Sequence, residues 1–348
     1  MIFPGQNSEA LKKAAHLICS GELVGLPTET VYGLCADALS DQAVSKIYSL
    51  KGRPSNHPLI AHLFSKEEIK HFAIDVPDYA NNLIDRLWPG PLTLILKKID
   101  GIAMGCTANA KSIALRCPAH PVAQALLGEC RDLGVWGLAA PSANRFGRVS
   151  PTTAQHVHEE FGDSLFILDG GPCEVGIEST IVDCTRGQPI VLRPGVLTIQ
   201  ELSLCAGQQV LSEQDFSRLL SPIEIKAAQA PSASGTLESH YAPKALVRLL
   251  SREDLLLSFS SAVTVSIKLG IWSQEKVTSK SESERISLFW RQMPEDPQVC
   301  AKALFAQLRE FDTIGVEEIW VEKPQNTQEW AGINDRLQRA AYTGTEPR

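Results

Sequence analysis

Two stretches near the amino terminus hold the side chains best suited to chemistry. Residues 25–38, GLPTETVYGLCADA, crowd Thr28, Glu29, Thr30 and Tyr32 into five positions. Residues 51–62, KGRPSNHPLIAH, add Lys51, Arg53, His57 and His62 around two prolines. Further polar residues fall at the ends of apolar runs: Arg116 closes SIALR, Ser142 and Asn144 follow GLAAP, Ser179 and Thr180 open STIVD, and Arg193 closes PIVLR. In open α/β sheets, ligands bind in the crevice outside the carboxyl ends of the strands. Four cations gathered there, Lys51, Arg53, Arg116 and Arg193, would neutralise a polyphosphate, arginine through a planar fork and lysine as a point charge. The same four on separate faces would be ordinary surface charges, and spacing alone leaves both readings open.

Nucleophilic and metal chemistry find less support. No GxSxG elbow occurs. Cys35 lies between Leu34 and Ala36, where a cysteine packs more often than it attacks. His156 and His158 stand two apart, so on a helix they do not share a face, and HExxH is absent. His62 follows the basic loop directly, yet its position alone favours a core or edge histidine. GCTANAKS, 105–112, has the spacing of a phosphate-binding loop but carries Ala110 where the second glycine belongs. It reads as a chance match, with Lys111 and Ser112 still free to touch a ligand. LDGGP before GIEST reads as tight-turn geometry. His240 and Tyr241, in SHYAP, either anchor a bland segment or close over a site.

The elements that must position these residues follow from hydrophobic period. Leu11, Ala14, Ala15 and Ile18 predict a helix over 8–20, and Val44, Ile47 and Tyr48 one over 41–50 that Gly52 ends. Further helices are expected over 77–87, 121–131 and 152–161. Short apolar runs predict strands at 22–26, 58–64, 92–98, 112–118, 135–142, 164–171, 179–185 and 189–195. The sum is α/β: a twisted mixed sheet with packed helices over 1–205. Residues 206–245, rich in Ala, Ser and Pro, have linker composition. Residues 246–348 alternate again, with strands at 246–250, 263–272 and 316–322, helices at 253–258, 299–309 and 329–341, and a polar, loop-like 275–297. That rhythm predicts a smaller Rossmann-like three-layer domain, without GxGxxG and so without support for a dinucleotide.

Composition sets the bounds. A chain of 348 residues exceeds one ordinary core, so two domains are expected. Its formal charge of −7 argues against a generally basic, nucleic-acid-coating surface while leaving room for a local basic pocket. The nine cysteines form no CxxC pair, which speaks against zinc and disulfide frameworks and for a reducing cytoplasm. The amino terminus lacks a cationic leader, and no apolar run of membrane-spanning length occurs.

Several of these segments, in this order, resemble the threonylcarbamoyl-AMP synthase family in its long form with a YrdC-like catalytic domain. The carrying pieces are PTETVYGL, KGRPSNHPL with His62, SIALRCPAHP, APSANRFGRVSPT, GIESTIVD, RPG, SGTLESHYAP and GINDRLQRAA, from residue 8 to about 343. The resemblance implies a YrdC-like α/β domain, a closing linker and a Rossmann-like domain. It implies that L-threonine, bicarbonate and ATP give threonylcarbamoyl-AMP and pyrophosphate. The product would pass to a tRNA threonylcarbamoyl transferase complex that modifies the adenosine beside the anticodon. It further implies that Thr28, Thr30, His62, Arg116 and Ser179 hold threonine. Arg53, His57, Ser112, Ser142, Asn144, Ser150, Arg193 and Tyr241 would line the ATP site, with Lys51 and Arg53 as the catalytic cations. Mg²⁺ would enter on ATP rather than on a protein site. His57 stands where the family often has asparagine, Cys35 where it often has glycine, and the linker lacks the basic residues common there. An RNA-binding or ribosome-assembly module is the alternative from another class, opposed by the acidity and by the lack of interleaved surface aromatics. A carbamoyl-transfer accessory domain is the other, opposed by the absence of acylphosphatase and zinc-finger segments.

Overall fold

A computed structural model of the chain describes residues 1–220, 230–235, 240–262, 267–277 and 286–342. It divides into two units, Met1–Phe146 with Ser150–Thr236, and Gly147–Val149 with Leu237–Arg348. Among the described residues no helix is long and apolar enough to cross a membrane.

The first unit is built on eleven strands: β1 (Ile2–Pro4), β2 (Val24–Leu26), β3 (Gly33–Asp37), β4 (Ile60–His62), β5 (Leu92–Lys97), β6 (Ser112–Arg116), β7 (Leu138–Ala139), β8 (Phe166–Asp169), β9 (Thr180–Asp183), β10 (Ile190–Arg193) and β11 (Leu211–Ser212). They form one mixed sheet in the order β1-β8-β2-β3-β7-β4-β6-β5-β9-β10-β11. Its helices are α1 (Ser8–Cys19), α2 (Asp41–Lys51), α3 (Asp78–Leu87), α4 (Met104–Thr107), α5 (Pro121–Asp132), α6 (Ala154–Phe161), α7 (Ile199–Ala206) and α8 (Glu213–Leu219). Alternation along β3 shows how the sheet is covered. Leu34 and Ala36 enter a core with Ile47 of α2 and Leu83 of α3, while Cys35 enters a second core with Ile18 of α1 and Leu126 of α5. The α1–α5 core takes buried side chains from β2, β3, β7 and β8 but none from β4, β6, β5, β9 or β10. Among the described residues, α1 and α5 therefore cover only the β2, β3, β7 and β8 part of that face, and α8 packs at its β10–β11 edge.

Several expectations change. The threonine-rich stretch is not loop throughout, because residues 33–37 are β3, antiparallel to β2, leaving 27–32 as the connection. The strand expected over 135–142 shrinks to β7, with Pro141 unable to continue a ladder. The segment 206–245 contains β11 and α8, which packs Phe216 against Ile190 and Leu211. Its residues 221–229 and 236–239 lie outside the described residues. Cys35 is fully buried, its Sγ donates to the Val24 carbonyl, and burial pushes its pKa up, so packing describes it.

The second unit has four parallel strands, β12 (Leu246–Leu250), β13 (Ile267–Ser273), β14 (Ile286–Gln292) and β15 (Glu318–Glu322), in the order β12-β15-β13-β14. Its helices are α9 (Arg252–Ala262), α10 (Pro297–Ile314) and α11 (Ala331–Ala341). Leu269 and Ile271 of β13 join a core with Leu255 of α9. Gly270 between them faces the Phe311 ring of α10, which an added Cβ would meet at 2.7 Å. Helices thus cover both faces, the three-layer arrangement expected. β14 corrects the loop reading of 275–297. Leu288, Phe289 and Trp290 carry its strand propensity, and the polar residues around them hid it. Residues 263–266 of the strand expected at 263–272 lie outside the described residues, as do 278–285.

Candidate active site

Strand register builds a row of side chains on the face opposite the α2–α3 core. His62 pairs with Arg116, Arg116 with Thr93, Thr93 with Ile181, and Ile181 with Arg193. Directly paired residues present their side chains on the same face. Arg193 reaches this row through a bulge: the register slips between Val191 and Arg193, so Arg193 rather than Leu192 stands opposite Ile181. A one-residue bulge re-aims a side chain to the other face. One row back, Ile60, Ile95 and Ala114 make an apolar floor with Ile181, and Ala233 packs onto it.

Around Arg116 the PTET turn closes. Thr28 Oγ1 donates to the Val31 carbonyl at 2.6 Å and accepts the Thr30 and Val31 amides, so Thr30 supplies the hydrogen of the 2.9 Å Thr28–Thr30 bond. Thr28 thereby shapes the turn. Arg116 Nη1 donates to Thr30 Oγ1 at 2.7 Å, Nη2 to Glu29 Oε1 at 2.6 Å, and Nε to the Gly90 carbonyl at 3.3 Å. Glu29 Oε2 accepts the Ala119 amide at 3.1 Å. The Arg116 and Glu29 side chains are only 4% and 8% exposed, so this is a buried ion pair.

His62 is buried beside Arg116, and its Nδ1 has no hydrogen-bond partner among the described residues. Burial first, and the Arg116 charge second, push its pKa down from 6.5 to about 3. The folded protein therefore holds His62 neutral while the unfolded chain protonates it near 6.5. The stability that His62 contributes above that pH is expected to be lost as pH falls toward 3. Ring resonances of His62 followed by NMR should stay constant between about pH 5 and 8, and His62→Gln should weaken the acid dependence of unfolding. A ring titrating near 6.5 would contradict its burial.

Arg53 stands just past Gly52, whose φ of 65° caps α2 in the left-handed region that glycine adopts without strain. Its Nε and Nη2 donate to the carbonyls of His57 and Pro58, and Nη2 also reaches Ser234 Oγ at 3.4 Å. Arg193 donates Nη1 to the Ser234 carbonyl at 2.8 Å, with Nε and Nη2 on the Ser179 carbonyl and Nη2 on Ser179 Oγ. Ser179 Oγ also meets Thr93 Oγ1 at 2.8 Å. Two guanidinium groups that lie 140 residues apart in sequence thus share one residue, Ser234. The His57 ring tilts against Phe146, and burial followed by Arg53 lowers its pKa. Lys51 is buried and donates its Nζ to the carbonyls of Ser142 and Asn144, tying the end of α2 to that loop. Burial first and Arg53 second hold its pKa well below the ordinary lysine value, against the pull of Glu160 and Glu178.

The remaining expected residues are spread further. Ser150 is fully buried and donates to Glu178 Oε1 at 2.5 Å. Ser112 lies at the opposite end of β6 from Arg116, about 13 Å away along the strand, beside a cavity of about 640 Å³ lined by Lys97, Lys111, Tyr79, Thr185 and Pro231. Tyr241 belongs to the second unit, where it is fully buried against Phe305 and the Arg336 guanidinium. A place beside the nucleotide is what the resemblance implies for it.

Comparison with known proteins places the whole chain in a family. A family model described as telomere recombination matches residues 16–195, and one described as threonylcarbamoyl-AMP synthase, C-terminal domain, matches residues 197–342. Threonylcarbamoyl-AMP synthase of Pyrococcus abyssi is 34% identical over 341 residues, covering 95% of this chain and 94% of that one. The chain belongs to the threonylcarbamoyl-AMP synthase family. The Bacillus subtilis member is 35% identical over 352 residues, with 96% and 94% covered. Among solved structures, Pyrococcus abyssi Sua5 complexed with L-threonine is similar with a TM-score of 0.80 at 32% identity, covering 98% of this chain and 97% of that one. In this member of the threonylcarbamoyl-AMP synthase family, sequence reasoning gave no role to Glu29, Thr93, Glu178 or Ser234. Glu29 stood in the PTET motif, but its partner was legible only after folding. Thr93 sits inside an apolar strand, and Ser234, although it opens SGTLESHYAP, lies in a segment with linker composition, so neither was marked as a partner of the arginines.

Proposed function

We propose that this chain is an L-threonylcarbamoyladenylate synthase, making threonylcarbamoyl-AMP for threonylcarbamoyladenosine modification of tRNA next to the anticodon. The observation that carries the reading is the row His62, Arg116, Thr93 and Arg193, with Arg53 brought to it through Ser234. The amine of threonine and bicarbonate give a carbamate and water. A carbamate oxygen then attacks the α-phosphate of ATP, and the bond to pyrophosphate breaks. Both steps need reactants held in place and negative charge offset, and neither needs a protein nucleophile. In this reading Arg116, Thr30, His62 and Ser179 hold threonine. Arg53 and Arg193 take the triphosphate in place of Ser234, with His57, Ser142, Asn144 and Ser150 around the nucleotide. Lys51 holds the Ser142–Asn144 loop in position. Mg²⁺ would arrive on the phosphates, held by their oxygens and water. The product is a mixed anhydride, so it suits immediate use by a transferase acting on tRNA.

Incubation with ATP, labelled bicarbonate and a panel of amino acids tests the reading. Pyrophosphate release that depends on L-threonine, with label in a nucleotide product, is the expected result. Release indifferent to the amino acid would overturn it.

A further inference from the structure

Buried acids near the row are each engaged by the chain, and one of them touches the arginine assigned to the substrate carboxylate. Arginine has five N–H donors. Three of those on Arg116 have partners among the described residues: Nε on Gly90, one Nη1 hydrogen on Thr30 and one Nη2 hydrogen on Glu29. One hydrogen on each Nη is left, which matches the two oxygens of a carboxylate. Glu29 is likewise part-used. Each oxygen accepts one bond, from Arg116 and from the Ala119 amide, and a carboxylate can accept about four. With His62 neutral, Arg116 and Glu29 together carry no net charge. An isolated arginine would favour any small carboxylate, whereas a touching arginine–glutamate pair is complementary to a zwitterion.

Resting on the threonine reading above, we infer that Glu29 is the specificity-determining residue that receives the α-ammonium group of the amino acid while Arg116 holds its carboxylate. The two charges of an α-amino acid sit on one carbon, and the two charges of this pair are in direct contact at 2.6 Å. Carboxylic acids without an ammonium group would add a second negative charge beside Glu29 against the single Arg116 cation, and are rejected for that reason. The ammonium must lose a proton before it captures bicarbonate, so Glu29 selects the substrate ahead of chemistry.

The test compares L-threonine with 2,3-dihydroxybutanoate, in which a hydroxyl replaces the amino group, by calorimetry on the full-length protein. Wild type is expected to bind threonine far more tightly. Glu29→Gln, which keeps shape and one acceptor, should weaken threonine about tenfold or more while leaving the analogue's affinity equal or improved, so the ratio collapses. The KM for ATP should stay within twofold. Glu29→Asp should recover part of the ratio, which a purely structural role would not do. An unchanged ratio in Glu29→Gln, or equal losses for both ligands, overturns the assignment. Failure of wild type to bind threonine at all would instead remove the functional reading on which it rests.

Discussion

Arg193→Ala is expected to lower kcat/KM by about a thousandfold, the scale seen when a preorganised cation is removed from phosphoryl transfer. Arg193 arrives in the row by a bulge and faces Ser179 and Ser234 from a fully buried position. With Nε and Nη2 fixed on the Ser179 carbonyl, the guanidinium is already oriented when negative charge develops on the leaving pyrophosphate. Its removal also leaves the Ser179 carbonyl short of a donor, at a cost of about 1–3 kcal/mol of stability. That loss should lower the melting temperature by several degrees without unfolding the protein, which circular dichroism would check. Arg53→Ala should follow the same pattern with a smaller stability loss, because its two shortest-range hydrogen bonds in sequence go to carbonyls of its own loop. Pyrophosphate release at the wild-type rate in both variants would refute the triphosphate assignment.

Arg116→Ala should be the most destabilising single change at the site. It leaves the Glu29 carboxylate buried without its counter-ion, and breaking a buried pair from one side costs about 3–5 kcal/mol. The Thr30 hydroxyl and the Gly90 carbonyl lose a donor at the same time. Urea unfolding would measure the loss. Combining it with Glu29→Ala should cost less than the sum of the two single changes, since the second removes the stranded charge. Threonine binding by calorimetry should be abolished in Arg116→Ala, while nucleotide binding persists if the two ligands use separate arginines. Strict additivity, or an unchanged threonine affinity, would show that the pair is not the centre of the amino-acid site.

Much of this architecture was legible in one dimension. Periodic apolar residues located α1, α2 and α3, and Gly52 marked the end of α2 because a left-handed cap favours glycine. The cations at strand ends were recognisable as candidates because strand and loop signals are local. The PTET and KGRPS motifs, together with the later segments, were enough to place the chain in its family. Local signals also misled. The polar flanks of β14 concealed a strand, and β3 was concealed by the loop character of the residues before it.

The sequence by itself determined which residues share a face of their own strand, where the longer periodic helices form, and which polar residues sit at strand ends. Tertiary structure alone decided which strands lie side by side and in what register. That choice lined up His62, Arg116, Thr93 and Arg193, gave Glu29 to Arg116, buried Lys51 among carbonyls, and set Ser234 between two arginines. The physical reason is range. A period of two is a property of one segment, whereas register between segments far apart in the chain is set by packing the whole sheet at once, and a slip of one residue in a strand would turn that strand's side chains to the opposite face.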